Sequence, residues 1–473
     1  MGELRITNTL TGEKEVFEPR DSDSEDSVVS LYVCGLTVSD DPHLGHARTW
    51  VSFDVLHRYL EHKGYEVRHV ENITDIDDKI IDRAHDEDVP PSEVASRYSH
   101  QVYDDMKALN LRRVNVRPRV TQHIDDIAEM VGTLIEKGYA YESGGDVYFD
   151  VSEFEEYGKL SGQKLEELES QGEESGKKRD PADFALWKKS KEGEPSWESP
   201  WGEGRPGWHI ECSAMSTTHL GETIDIHGGG RDLVFPHHEN EIAQTEAATD
   251  HDFARYWMHV GPLRVEGEKM STSLSNFWTV HDALDEYSAN EIRAFLISTQ
   301  YAKPQSFDDG SLEEGAKRWE RIENAVRTCE KAMDSDAAKA KETDGSLRET
   351  ASVAEERFEE AMDDDLNTPE ALAVLFDLVN EVNAHVEDNE VYDYEGLFEA
   401  WRTLRELGEV LGFDFSDGRS KEGLSDSLID LLLDLREEER QKGNYETADS
   451  IRDGLRDLGV EVEDTDEGTT YRY

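Results

Sequence analysis

Between Trp208 and Glu241 the chain gathers a thiol (Cys212), two adjacent imidazoles (His237 and His238), three carboxylates (Glu211, Glu239 and Glu241) and a glycine triplet, Gly228 to Gly230. Thiolate and imidazole together suit zinc, and a carboxylate can complete the shell. On a helix following Pro236, His237 and Glu241 stand at i and i+4 and share a face, while His238 points elsewhere. The same residues fit a packed core equally well, with Cys212 a small buried hydrophobe and the histidine pair a capping or core feature. On this stretch alone the two readings stand level.

Such side chains need a scaffold. Leu31–Gly35 is a short apolar run ending in glycine, the pattern of a buried strand in a parallel sheet. A polar turn follows, then H-L-G-H at 43–46, then a helical pattern from Ala47. A loop between a strand's carboxyl end and a helix's amino end is where α/β folds hold nucleotide phosphates. Gly45 there lets backbone approach a base or ribose, and His43 and His46 can donate to phosphate oxygens. A second strand within Tyr65–Thr74 leads into another helix at D-I-D-D-K-I-I, so the first quarter reads βαβα. Far downstream, residues 267–277 form a small-residue loop around Lys269, the kind of segment that clamps a triphosphate. Alone, neither H-L-G-H nor K-M-S-T-S is specific.

The 473 residues are enough for several domains. Their formal charge of −58 far exceeds what solubility requires. Self-repulsion of that size is tolerable where salt near 1 M screens it over about 3 Å, which points to a salt-loving cytoplasm. The acidic runs at 21–26 and 166–174 then read as solvated surface. No signal architecture or membrane-length apolar run is visible, so a soluble cytoplasmic protein is expected. Three cysteines make no disulfide framework.

H-L-G-H and K-M-S-T-S, in this order, resemble the H-I-G-H and K-M-S-K-S motifs of class I aminoacyl-tRNA synthetases. Further stretches resemble the cysteinyl-tRNA synthetases: Y-V-C-G, N-I-T-D-I-D-D-K-I, K-R-D-P-A-D-F-A-L-W-K, G-R-P-G-W-H-I-E-C-S-A-M and F-P-H-H-E-N-E. The resemblance covers nearly the whole chain. It implies an ATP-dependent ligation of L-cysteine to tRNA(Cys), with one zinc held by Cys34, Cys212, His237 and Glu241 and the substrate's sulfur joining it. It implies that Thr74, Trp208 and His227 line the amino-acid pocket. His43, Gly45, His46, Gly229, Asp232, Lys269 and Thr272 would serve ATP and its Mg²⁺, with His43, His46 and Lys269 catalytic. Thr272 replaces the family loop's second lysine, which leaves Lys269 with more of the triphosphate.

The implied architecture is a Rossmann-type parallel-sheet domain in two halves (1–115 and 205–253) around a connective insertion (116–204). A stem-contact region with the K-M-S-T-S loop (254–312), a helical anticodon-side bundle (313–413) and a small α/β C-terminal domain (425–473) follow. In the bundle, Trp319, Ile322, Val326, Cys329 and Met333 recur at helical spacing, so Cys329 reads as core. Thr368 and Pro369 start another helix, and Tyr471 is a candidate for stacking on anticodon bases. A monomer without membrane attachment is expected. Rival readings are a paralogue joining activated cysteine to a small amine, and a non-catalytic tRNA-binding or zinc protein.

Overall fold

The computed structural model describes residues 2–20, 28–164, 176–265, 268–270, 277–308, 310–335, 345–388 and 392–416, with 432–433, 435–436, 440, 444–457, 460–465 and 468–472 near the end of the chain. Thr272 and both acidic runs lie outside the described residues. So does most of the segment 428–440, where the run L-I-D-L-L-L-D-L-R-E-E-E-R has a helical pattern.

One compact unit spans Met1–Asp414. Its centre is a four-stranded parallel sheet in the order Ala254–Val260, Ile224–Gly230, Val28–Val33, Glu66–Glu71. The sequence V-V-S-L-Y-V suits the central position, because a strand covered on both faces needs side chains that lose nothing by leaving water; five of its six residues are buried. From Val28–Val33 the chain passes through the helix Leu44–His62 to Glu66–Glu71 on one side, while Ile224–Gly230 lies on the other. The neighbours of the central strand are therefore reached by divergent connections, and a crevice opens between their carboxyl ends.

The segment between Glu71 and Ile224 carries a second sheet, antiparallel, in the order Ala140–Ser143, Asp146–Phe149, Phe184–Lys189, Gly204–Pro206. The last of these strands delivers the chain into the helix Trp208–Leu220. The aromatic loop before it packs inward, Trp201 lying edge-on to the buried Trp187.

Beyond the parallel sheet, Leu263–Val265 pairs with Glu268–Lys269 and Gln305–Phe307, and four long helices follow: Ser311–Asp334, Ser346–Asp363, Thr368–Asp388 and Tyr394–Val410. Trp319, Ile322, Val326 and Cys329 form the buried stripe that the spacing predicts. Met333 is only half-buried, because in the helix's last turn Ala332 takes the inward position. The second unit, Phe415–Tyr473, contains the helix Tyr445–Asp457 and an antiparallel hairpin of Glu461–Thr465 and Gly468–Arg472, with Tyr471 opposite Val462. No helix among the described residues is long and apolar enough to cross a membrane.

Candidate active site and metal centre

His43 is the N-cap of the helix Leu44–His62. Its Nδ1 accepts from the His46 backbone N–H at 3.3 Å, and the Nδ1 of His46 accepts from the His43 N–H at 3.2 Å. With both Nδ1 atoms accepting, each neutral ring carries its proton on Nε2. Burial, and then the nearby Lys269 charge, hold His43 down to about 4; burial and the facing His43 hold His46 well below the ordinary histidine value. Gly45 is required because a Cβ there would stand 2.8 Å from the His43 ring. It makes room for the imidazole in addition to any role toward ATP.

The Lys269 strand belongs to the same neighbourhood. Leu44 N–H donates to the Trp278 carbonyl at 3.0 Å, and Val280 N–H to that of Pro42 at 2.8 Å, so the far end of the loop is stitched to the helix start. Lys269 Nζ lies 2.8 Å from Asp232 Oδ2, both groups about half exposed. Gly229 is buried, and the space above its Cα is occupied by Leu233 and His238.

Cys34 follows the central strand directly, Cys212 lies on the helix Trp208–Leu220, and His237 and Glu241 flank the start of the helix Glu239–Thr249. One donor atom from each of the four lies within 4.8 Å of the others, and all four residues are buried. Cys34 Sγ is 3.7 Å from Cys212 Sγ and 3.3 Å from Glu241 Oε1, while His237 Nε2 is 3.1 Å from that same oxygen. Burial, reinforced by Cys212 and Glu241, pushes the Cys34 thiol well up. The bond from Cys34, aided by His237, brings Cys212 down to about 6. Two sulfurs and a carboxylate crowded away from water cannot all ionise unless a cation shares the space. The donor set therefore fits a divalent metal.

A second set, Cys34, His227, His238 and Glu241, overlaps the first. His238 does not point elsewhere, as the sequence suggested: its Nε2 lies 3.3 Å from Cys34 Sγ. The two adjacent histidines stand in the turn that precedes the helix Glu239–Thr249 and meet different sides of one cluster. His227 is fully buried, its Nε2 2.8 Å from Glu241 Oε2 and its ring stacked on Trp257 at 4.6 Å. It fixes the orientation of the Glu241 carboxylate. Trp208, 38% exposed, lies over His237 with ring centroids 4.3 Å apart. Thr74 is buried and donates to Glu211 at 3.0 Å.

Sequence reasoning missed Asn72, His209 and His259. Asn72 Oδ1 accepts from Gly35 N–H at 2.9 Å and from Tyr32 Oη–H at 3.2 Å, fixing the turn after Cys34. His209 Nδ1 lies 2.9 Å from His237 Nδ1. A polar residue placed inside an apolar strand, as in W-M-H-V at 257–260, was the available signal for His259.

A parallel sheet with a mutually capped histidine pair at the start of its crossover helix is the arrangement that the resemblance to class I aminoacyl-tRNA synthetases implies. Solved structures share the fold: methionyl-tRNA synthetase of Mycobacterium tuberculosis in complex with methionyl-adenylate matches with a TM-score of 0.60 over 81% of this chain and 89% of that one, at 18% identity. A putative arginyl-tRNA synthetase from Campylobacter jejuni matches at 0.55 over 82% and 94%, at 13% identity. Residues 21–317 match the model of the class I (C) tRNA synthetase catalytic domain, 357–416 a DALR domain and 425–472 the cysteinyl-tRNA ligase anticodon-binding domain. The cysteine–tRNA ligases of Haloarcula marismortui and Thermococcus onnurineus are 51% and 48% identical, each over 99% of both chains. The chain belongs to the cysteine–tRNA ligase family.

Proposed function

We infer that the chain activates L-cysteine with ATP and transfers the cysteinyl group to the 3′-terminal ribose of tRNA(Cys). The substrate carboxylate attacks the α-phosphate and pyrophosphate leaves; a ribose hydroxyl then attacks the acyl carbon and AMP leaves. Catalysis rests on positioning and charge stabilisation, without a protein nucleophile. His43 and His46 present Nε2–H donors to phosphate oxygens, their Nδ1 atoms being engaged by backbone. Lys269 supplies the cation for the triphosphate, Mg²⁺ arriving with ATP, and Asp232 and Gly229 face the nucleotide. Thr272 supplies no charge.

Cys34, Cys212, His237 and Glu241 would hold zinc. Zinc there gives the substrate's sulfur a soft partner that a serine hydroxyl cannot match, so cysteine is selected at the binding step and no editing domain is needed. Trp208, Thr74 and His227 surround the amino-acid site. The observation that carries this reading is the convergence of four donors from three distant segments just beyond the carboxyl end of the central strand.

The reading divides the labour among catalytic halves 1–115 and 205–253, an insertion 116–204 toward the tRNA acceptor end, a stem-contact region 254–312, and 313–413 with 425–473 on the anticodon side. A cytoplasmic monomer belongs to the same reading. Cysteine-dependent ATP–pyrophosphate exchange, repeated with tRNA as acceptor, tests the reading. Exchange without tRNA charging would turn it toward a paralogue with a small acceptor, and no exchange would end both.

A further inference from the structure

The metal donors continue outward along a file of hydrogen bonds. His238 Nε2 lies 3.3 Å from Cys34 Sγ, His238 Nδ1 lies 2.8 Å from His259 Nε2, and His259 Nδ1 lies 2.8 Å from Thr9 Oγ1. Both imidazoles are buried, so water does not substitute for these partners. Thr9 follows the strand Arg5–Asn8, and its N–H donates to the Trp257 carbonyl at 2.8 Å. The N-terminal segment is thus tied through two rings to a sulfur of the metal centre.

The direction of these bonds is determined once Cys34 ligates a metal. A ligating sulfur carries no proton, so the hydrogen in the first gap belongs to His238 Nε2. Burial disfavours a cationic ring, and His238 Nδ1 must then accept, which places the next hydrogen on His259 Nε2. His259 Nδ1 is left as an acceptor, and the Thr9 hydroxyl stands there to donate. A carbonyl or carboxylate in that position could not serve. When the sulfur is protonated, the file can run the other way.

We propose that Thr9 and His259 are positioning residues of the metal centre: the Thr9 hydroxyl sets the tautomer of His259, and through it that of His238, so that an N–H is aimed at Cys34 Sγ. The proposal rests on the reading of Cys34 as a metal ligand. Hydrogen bonds of this outer kind typically change metal affinity about 10- to 100-fold.

Titration of the metal-stripped full-length protein with Co²⁺ tests it, followed by chelator competition and by the thiolate-to-Co²⁺ charge-transfer band. Thr9→Val keeps the side-chain shape and is expected to bind one Co²⁺ per chain about 10-fold more weakly, with a displaced band. Thr9→Ser should match the parent. If the valine variant melts early, Thr9→Ala beside Thr9→Ser gives the same comparison. In a His238→Gln background the change at Thr9 should have no further effect, whereas additive losses would show that Thr9 acts through general packing. A valine variant equal to a parent that shows the band overturns the proposal alone. A parent without a thiolate band overturns the metal reading beneath it as well.

Discussion

His43 and His46 stack with ring centroids 3.6 Å apart and planes 13° from parallel, each accepting the other's backbone N–H. The pair has two separable jobs, ending a helix and presenting Nε2–H. His43→Asn retains a good N-cap, so its melting midpoint should stay near that of the parent. Its ATP–pyrophosphate exchange should fall about 10²–10³-fold, the usual effect of losing one preorganised donor. His43→Ala should show the same loss of exchange and also cost about 1 kcal/mol of stability, read by denaturant titration. Unchanged exchange in the asparagine variant would remove His43 from the catalytic set.

Lys269 and Asp232 form a pair on the rim, 2.8 Å apart and about half exposed on each side. Such a pair contributes at most about 1 kcal/mol, so its value is positional. Lys269→Ala should leave the melting midpoint within about 2 °C of the parent while exchange falls at least about 10²-fold. Equal loss of stability and activity would make the lysine structural.

Part of this site is legible in the sequence, and the rest is hidden for physical reasons. The i, i+4 spacing of His237 and Glu241 is realised at 3.1 Å, because helical periodicity is local. Cys34 could not be joined to Cys212 by any local rule: what brings them within 3.7 Å is the packing of the helix Trp208–Leu220 on the strands Val28–Val33 and Glu66–Glu71. Only family resemblance indicated that contact. The sense of His238 is not readable from a helical wheel, because the ring stands in the turn before the helix Glu239–Thr249 and its partners, Cys34 and His259, come from distant segments. The bundle stripe was readable through Cys329, whose thiol burial pushes up to about 12, the mark of an inert core residue.

His69 gives a pH dependence separate from the metal centre. Burial first, then the neighbouring His57 and Arg117, pull it down to about 3. An unfolded chain binds that proton near pH 6.5, so acid favours unfolding. The contribution is whole above about 6.5 and is lost as pH falls toward 3, at roughly 1.4 kcal/mol per pH unit. At constant high KCl the melting midpoint should drop between pH 7 and 5.5, and His69→Gln should flatten that slope. A parallel slope in the variant would assign the effect to other groups.

The charge of −58 sets the last prediction, since tRNA is itself a polyanion. Several arginines are already committed to carboxylates of this chain; Arg402, for example, touches Glu355, Glu399 and Glu406. Phosphate contacts must compete with these pairs, and counterion release penalises them further as salt rises. Stacking and shape contacts carry no such penalty. At about 1 M salt the screening length is near 3 Å, short enough to silence the general repulsion while leaving bases free to stack. Binding of tRNA(Cys) should therefore persist at molar KCl, with a log–log salt slope shallower than that of a protein gripping six or more phosphates. Loss of all binding at molar KCl would show that recognition depends on ionic contacts that this acidic surface cannot sustain.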